Sequence, residues 1–256
     1  METTHEPIAN RASLEALVEA GWLKLESLHP GGLDTTRELA ELCGIQKGAR
    51  VVDVASGTGE TACFLAERLD ARVFGVELSE EMIRKARAKT PATSLKIQFV
   101  NADASSLPLP TAQFDAAICE CTLCLLEKER ALSEMVRVVR PGGCIGIHDL
   151  CWKAQAPDRL KRSLAKIEGE NPETLEGWQR LFAQAGLIQI KAVEKSALMS
   201  KWMKESRKLL GLTGQVMLGF KVIRRWGFQG LWRVLQSERI FASEFLGYGI
   251  VVGTKP

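Results

Sequence analysis

Apolar residues recur every three to four positions across residues 8–28, placing Leu14, Leu17, Val18, Trp22 and Leu25 on one side. That period predicts an amphipathic helix. His29-Pro30-Gly31-Gly32 interrupts it and reads as a helix–helix turn, with a hinge or a pocket rim as the other reading. A second helix is expected with Asp34 or Thr35 as its cap, Leu39 and Leu42 turned inward, and an end at Cys43-Gly44.

From Arg50 the pattern changes. Short apolar runs predict strands at 51–54, 72–76, 96–101, 114–119, 144–148, 187–193 and 245–252. Helical periods lie between them at 58–69, from Ser79 to about Lys89, and at 127–139 and 173–185. Such alternation implies an α/β fold, a Rossmann-like, mostly parallel seven-stranded sheet with helices on both faces. Residues 197–241 break the rhythm with apolar and basic residues at helical spacing. The expected organisation is an N-terminal helical cap over 1–44, a core over 45–196, a helical lid or substrate insertion over 197–241, and the final core strand over 242–256.

Composition adds exclusions. A net charge of +3 over 256 residues is too small to argue for nucleic acid as a partner. Met1-Glu2-Thr3-Thr4-His5-Glu6 is polar and lacks basic residues, so no secretory leader is expected; no apolar run is long enough to span a bilayer, and a cytoplasmic location is expected. Seven cysteines, an odd number in a chain this long, argue against a disulfide framework.

The chemistry concentrates in Val51-Val52-Asp53-Val54-Ala55-Ser56-Gly57-Thr58-Gly59, a strand running through a glycine turn into a helix. Glycines permit a sharp turn and close approach of a ligand, and the helix start offers free N–H groups. Glu77 ends the next strand, where dinucleotide-type folds place a carboxylate for ribose hydroxyls. Asn101-Ala102-Asp103-Ala104 ends the third. Dehydrogenases share this layout, but their third glycine is missing here. Asp53, inside the first strand, suits a cationic, amine-bearing ligand better than a pyrophosphate.

At these residues the chain resembles the class I S-adenosylmethionine (SAM)-dependent methyltransferases, and within them the type-11 group that includes quinone-biosynthesis C-methyltransferases. Asp53-x-x-x-Gly57-x-Gly59 is similar to the family's first motif; Asp103-Ala104 with Leu107-Pro108-Leu109 and Phe114-Asp115 to its adenine turn and fourth strand; and Leu132-x-Glu134-x-x-Arg137-Val138-Val139-Arg140-Pro141-Gly142-Gly143 to the approach to its fifth. The resemblance implies SAM as cofactor and a small-molecule methyl acceptor. Asp53 would orient the methionine amine, Ala55, Ser56, Gly57, Thr58 and Gly59 would lie along the cofactor, and Glu77 with Leu78 would hold the ribose. Asp103 and the Ala104 N–H would read the adenine, and Glu120 would face the methionine end or the acceptor.

Candidates for catalysis are His148, Glu120 and Cys121. His148, at the end of the fifth strand, is either a base or a histidine bonded to backbone. Cys121 lands in the register of a cysteine of arsenite methyltransferases; it is either a thiolate for a soft element or a small core residue. No metal is expected. The 197–241 insertion is either a lid packed on the core or a basic amphipathic surface for a membrane or lipid-like acceptor. A DNA methyltransferase is not expected, because the Asx-Pro-Pro-Tyr motif is absent and Cys119-Glu120-Cys121-Thr122 stands there. A non-catalytic SAM-binding scaffold is the alternative of another class, and oligomeric state stays open.

Overall fold

The computed structural model describes residues 12–13, 16–17, 20–22, 29–90 and 96–256. Most of the first expected helix, 8–28, lies outside the described residues. The described chain runs α1 (Gly32–Leu42), β1 (Arg50–Val54), α2 (Glu60–Leu69), β2 (Arg72–Glu77), α3 (Glu80–Lys89), β3 (Ile97–Asn101), β4 (Phe114–Glu120), a 3-10 turn (Leu123–Leu125), α4 (Lys128–Val138) and β5 (Val139–Trp152). It continues through α5 (Asp158–Ile167), β6 (Glu173–Thr174), α6 (Leu175–Gln184), β7 (Ile188–Glu194), α7 (Ala197–Phe241) and β8 (Leu246–Thr254).

The sheet order is β3-β2-β1-β4-β5-β8-β7, with the two-residue β6 beside β5. All pairings are parallel except those of β8, which runs antiparallel to both β5 and β7. The strand order reverses at β1, whose neighbours are β2 and β4. In an open α/β sheet that reversal leaves a crevice beyond the carboxyl ends of the strands. β1 is buried at Val51, Val52, Asp53 and Val54, so its apolar side chains serve both faces. Val52 and Val54 join the larger core with Leu132, Met135, Ile147 and Trp178. Val51 joins the other with Leu39, Leu65, Val73 and Ile118.

Three local expectations change. Helix α1 begins at Gly32, not at Asp34 or Thr35, with Gly31 in the left-handed region as its cap (φ 86°). The reason is in the Thr35 hydroxyl, which donates backwards to the Gly32 carbonyl (2.7 Å) instead of capping the following N–H groups. Strand β5 extends past 148 to Trp152, because β8 pairs with it from Cys144 to Trp152. Helix α5 was not expected, although Leu160, Leu164 and Ile167 have helical spacing and the latter two are buried.

The insertion is helical as expected, but two glycines break it. Gly211 (φ 59°) and Gly227 (φ 70°) leave helical geometry inside α7. Behind the binding crevice, Arg137 on α4 fixes the loop after β3. It donates to the carbonyls of Leu107 and Leu109 (2.9 Å each) and pairs with Glu134, which accepts the Leu107 N–H (2.7 Å). Arg137→Ala leaves those acceptors without their donor and should lower unfolding free energy by about 1–3 kcal/mol. Urea melts with an unchanged slope would confirm it.

Candidate functional site

The end of β1 carries the first carboxylate into the crevice. Asp53 is buried, and its Oδ2 has no hydrogen-bond partner among the described residues. Burial, then the charges of Glu120 and Glu77, push its pKa well above the usual carboxylate range; a bond from the Ala62 backbone opposes them. The hydroxyl of Ser56 is likewise buried and without a partner among the described residues. Two orphaned polar atoms at one strand end fit a ligand that brings its own donors, and a cationic amine would also relieve the Asp53 charge.

The turn itself is built against β2. Glu77 at the end of β2 accepts the Gly57 N–H on one oxygen (2.9 Å) and the Ser79 N–H on the other (2.8 Å). Each carboxylate oxygen keeps a further lone pair for hydroxyl donors. The Ser56 N–H bonds the Val76 carbonyl (3.0 Å), stitching the loop to the neighbouring strand. Asn101 donates to the Glu77 and Leu78 carbonyls (3.0 and 2.7 Å), and so ties the end of β3 to the same rim. Leu78 is 70% exposed there. Asp103 accepts the Ser105 N–H (2.7 Å) and is exposed, Ala104 is buried beside it, and the Thr58 hydroxyl accepts from Lys89 (2.8 Å).

The two glycines differ in their reasons. A Cβ on Gly57 (φ +51°) meets nothing within 4 Å, so that face is open. A Cβ on Gly59 (φ +76°) would come within 2.6 Å of the Phe99 ring and 3.1 Å of Ala86. Gly59 is therefore required by the approach of the loop to β3 and α3. We expect Gly57→Ala to cost about 1–2 kcal/mol, from the left-handed backbone alone. Gly59→Ala should cost about 2–5 kcal/mol, since overpacking is added. Chemical denaturation of both variants checks the order. Ala55 adopts φ 58° without being glycine.

A second polar group sits at the end of β4 and beside it on β5. Glu120 is largely buried and accepts hydroxyl hydrogen bonds from Thr61 on α2 (2.7 Å) and Thr36 on α1 (3.0 Å). His29 Nε2 lies 3.9 Å from one of its oxygens and His148 Nδ1 3.8 Å from the other. Burial works against the Glu120 charge, but the facing His29 and His148 and the Thr61 hydroxyl outweigh it and hold the pKa at about 2. Burial lowers the His29 pKa, with Glu120 opposing. His148 is fully buried, and neither ring nitrogen makes a hydrogen bond among the described residues. Its ring contacts those of His29 (5.4 Å) and Tyr248 (5.1 Å). The reading of His148 as a histidine bonded to backbone therefore has no bond to rest on.

Cys121 follows with a left-handed backbone (φ 55°), its N–H donating to the His148 carbonyl (2.7 Å). Burial, then Asp149, push its pKa well up, against a bond with Tyr248. Cys124 and Cys151 are shifted the same way, burial first. The thiols are held protonated, which weighs against a thiolate that binds a soft element.

Of the residues expected at the site, Asp53, Gly57, Glu77, Asp103 and Glu120 stand at or just beyond the ends of β1 to β4; His148, expected at the end of the fifth strand, lies four residues inside β5, in register with Glu120, because β8 prolongs that strand. Sequence reasoning missed Thr36, Thr61 and Tyr248. It read His29 as part of a turn, and only the turn motif itself signalled that position.

Comparison with known proteins agrees with this layout. A family model described as a methyltransferase domain matches residues 51–143. The chain is 28% identical over 219 residues to an uncharacterized protein of Haemophilus influenzae, covering 82% of this chain and 87% of the relative. It is 33% identical over 169 residues to O-methyltransferase cnsE of Penicillium expansum, covering 64% of this chain and 60% of that one. Among solved structures, phosphoethanolamine N-methyltransferase 2 of Haemonchus contortus, in complex with SAM, superposes with a TM-score of 0.76 at 18% identity. That superposition covers 94% of this chain and 57% of the nematode one, so the chain spans about three fifths of these two methyltransferases.

Proposed function

We propose, for a chain whose core belongs to the class I SAM-dependent methyltransferases, that it methylates a small amphipathic acceptor that enters beneath α7. The observation that carries the cofactor side is the buried Asp53 Oδ2, without a donor among the described residues, at the same sheet edge as Glu77.

Bound SAM supplies a methyl group already activated on a sulfonium. The chain's residues hold, orient and shield. Asp53 takes the amine, Glu77 the ribose diol, and Asp103 with the Ala104 N–H the adenine. The acceptor's nucleophilic atom faces Glu120, His29 and His148. For a hydroxyl or amine acceptor, a proton must leave as the new bond to carbon forms. His148, buried and without a hydrogen bond among the described residues, is the base proposed for it, with Glu120 balancing the imidazolium. Water exclusion comes from the cover of α1 and α7 over the strand ends.

Relatives and neighbours described as acting on phosphoethanolamine, on geranyl diphosphate and as O-methyltransferases support small acceptors of several kinds. The lipid-like version rests on α7. Leu212 (84% exposed), Val216, Met217 and Phe220 form one outward face, and Phe228 (78%), Trp232 and Leu235 another, each at helical spacing. Exposed Lys208, Lys221, Arg224 and Arg225 lie in the same segment. The inner faces meet Leu17 and Trp22 through Val222, Trp226 and Leu231. Among the described residues no helix is long and apolar enough to cross a membrane. The charge and exposed rings suit instead an anionic membrane surface that presents the acceptor.

Calorimetry with SAM and S-adenosylhomocysteine tests the cofactor reading. Folded protein that ignores both would overturn it. For the surface, we expect sedimentation with phosphatidylserine vesicles at low salt, reduced by Phe220→Asp or Phe228→Asp. No binding to such vesicles would leave α7 as a lid only.

A further inference from the structure

Glu120, His29 and His148 come from three separate parts of the chain: the end of β4, the turn before α1, and β5. One ligand atom of each lies within 4.8 Å of the other two. The separations at Glu120, 3.8 and 3.9 Å, are too long for hydrogen bonds. Ligand atoms bound at about 2.1 Å to one shared ion stand about 3–4 Å apart. One imidazole thus stands beside each carboxylate oxygen, at the long end of the spacing of co-ligands and beyond that of hydrogen-bond donors.

His29 is held on its other side as well. The Thr35 hydroxyl, which donates to the Gly32 carbonyl (2.7 Å), lies 3.3 Å from His29 Nδ1, and Nε2 is turned toward Glu120. A neighbour on one ring nitrogen is also how metal-bound imidazoles are oriented. Thr36 and Thr61 fix the Glu120 carboxylate in turn. His148 supplies an independent observation: it is fully buried, aims Nδ1 at the same carboxylate, and has no hydrogen bond on either nitrogen among the described residues.

We propose that His29, Glu120 and His148 form a two-histidine, one-carboxylate site for a divalent first-row transition metal ion. Two imidazoles and a carboxylate suit Zn(II), Fe(II) and Co(II) better than Mg(II), which prefers an all-oxygen shell. Three protein ligands leave a coordination position open for an oxygen or nitrogen of the acceptor. The proposal rests on the reading of this strand edge as the acceptor end. It places a metal where sequence reasoning expected none, and it gives His148 the role of ligand in place of base.

The experiment titrates Co(II) alone into metal-stripped full-length protein, read by visible absorption and by metal analysis after gel filtration. SAM binding is measured on the same samples, so failure of the metal site and failure of the cofactor reading are told apart. One equivalent of Co(II) with low-symmetry ligand-field bands supports the site. So does displacement by Zn(II) and loss of affinity by at least about tenfold in His29→Gln, Glu120→Gln and His148→Asn proteins that keep SAM binding. Wild-type protein that binds SAM but takes up no Co(II) or Zn(II) overturns the proposal, as does uptake that all three variants retain. The wild-type titration decides the matter even where a variant fails to fold.

Discussion

Asp53→Asn should raise the melting temperature of the purified protein at pH 8 by about 2–6 °C and weaken SAM binding by about 10- to 150-fold. The two effects share one cause. Asp53 is buried with an unpartnered oxygen, and burial together with Glu120 and Glu77 raises its pKa. A carboxyl whose folded pKa lies above its unfolded value binds more protons in the folded state. Its stabilising contribution is complete below the unfolded value and is lost as pH rises through the folded one. At pH 8 the group is therefore a burden on the folded protein. Asparagine has a similar shape and no charge, so it removes that burden. The gain should shrink as pH falls toward the unfolded value of about 4. A cationic amine against the carboxylate is the interaction that makes the strain useful, and the amide cannot replace it. Scanning calorimetry at several pH values and SAM titrations check the opposed signs. A variant that is both less stable and equally good at binding SAM would sink the assignment of Asp53.

Glu77→Ala should reduce SAM affinity on the order of 10²–10³-fold, from the loss of two charge-assisted hydrogen bonds at about 1.5–3 kcal/mol each, part of which is recovered by water. Stability should fall as well, because the carboxylate also holds the N–H groups of Gly57 and Ser79. Glu77→Gln separates the roles. Its single carbonyl oxygen serves one N–H, while its NH2 faces the other donor. We therefore expect a smaller loss in stability than for alanine and a large one in affinity. Glu77→Ala protein that binds S-adenosylhomocysteine as tightly as wild type would remove the ribose role.

The strands and the turn were legible because their causes are local. Val51-Val52-Asp53-Val54 reads as a buried strand because both faces of β1 are covered, and Gly57 signals an open turn because its backbone is left-handed. Ser79 caps α3 through the Met82 N–H, as expected from its place before the helical period. Gly59 was legible as a glycine but not in its reason, since the ring that excludes a Cβ comes from Phe99 on β3. Helix α5 carries its own helical period in Leu160, Leu164 and Ile167. The C-terminal end of β5 was not available, since a strand lengthens wherever a partner strand continues beside it, and β8 is far along the chain.

What the sequence alone determined is the alternating α/β pattern, the glycine turn and the carboxylates at successive strand ends. These follow from periodicity, backbone freedom and the place of a residue at the end of its own strand. Only the tertiary structure decided that Thr36 and Thr61, 84 and 59 residues before Glu120, would donate to it, and that His29 and His148 would close on the same carboxylate. Such a group is set by sheet order and by how α1 crosses the strand ends. No local pattern encodes it, because contacts between distant segments are fixed by packing and not by spacing along the chain.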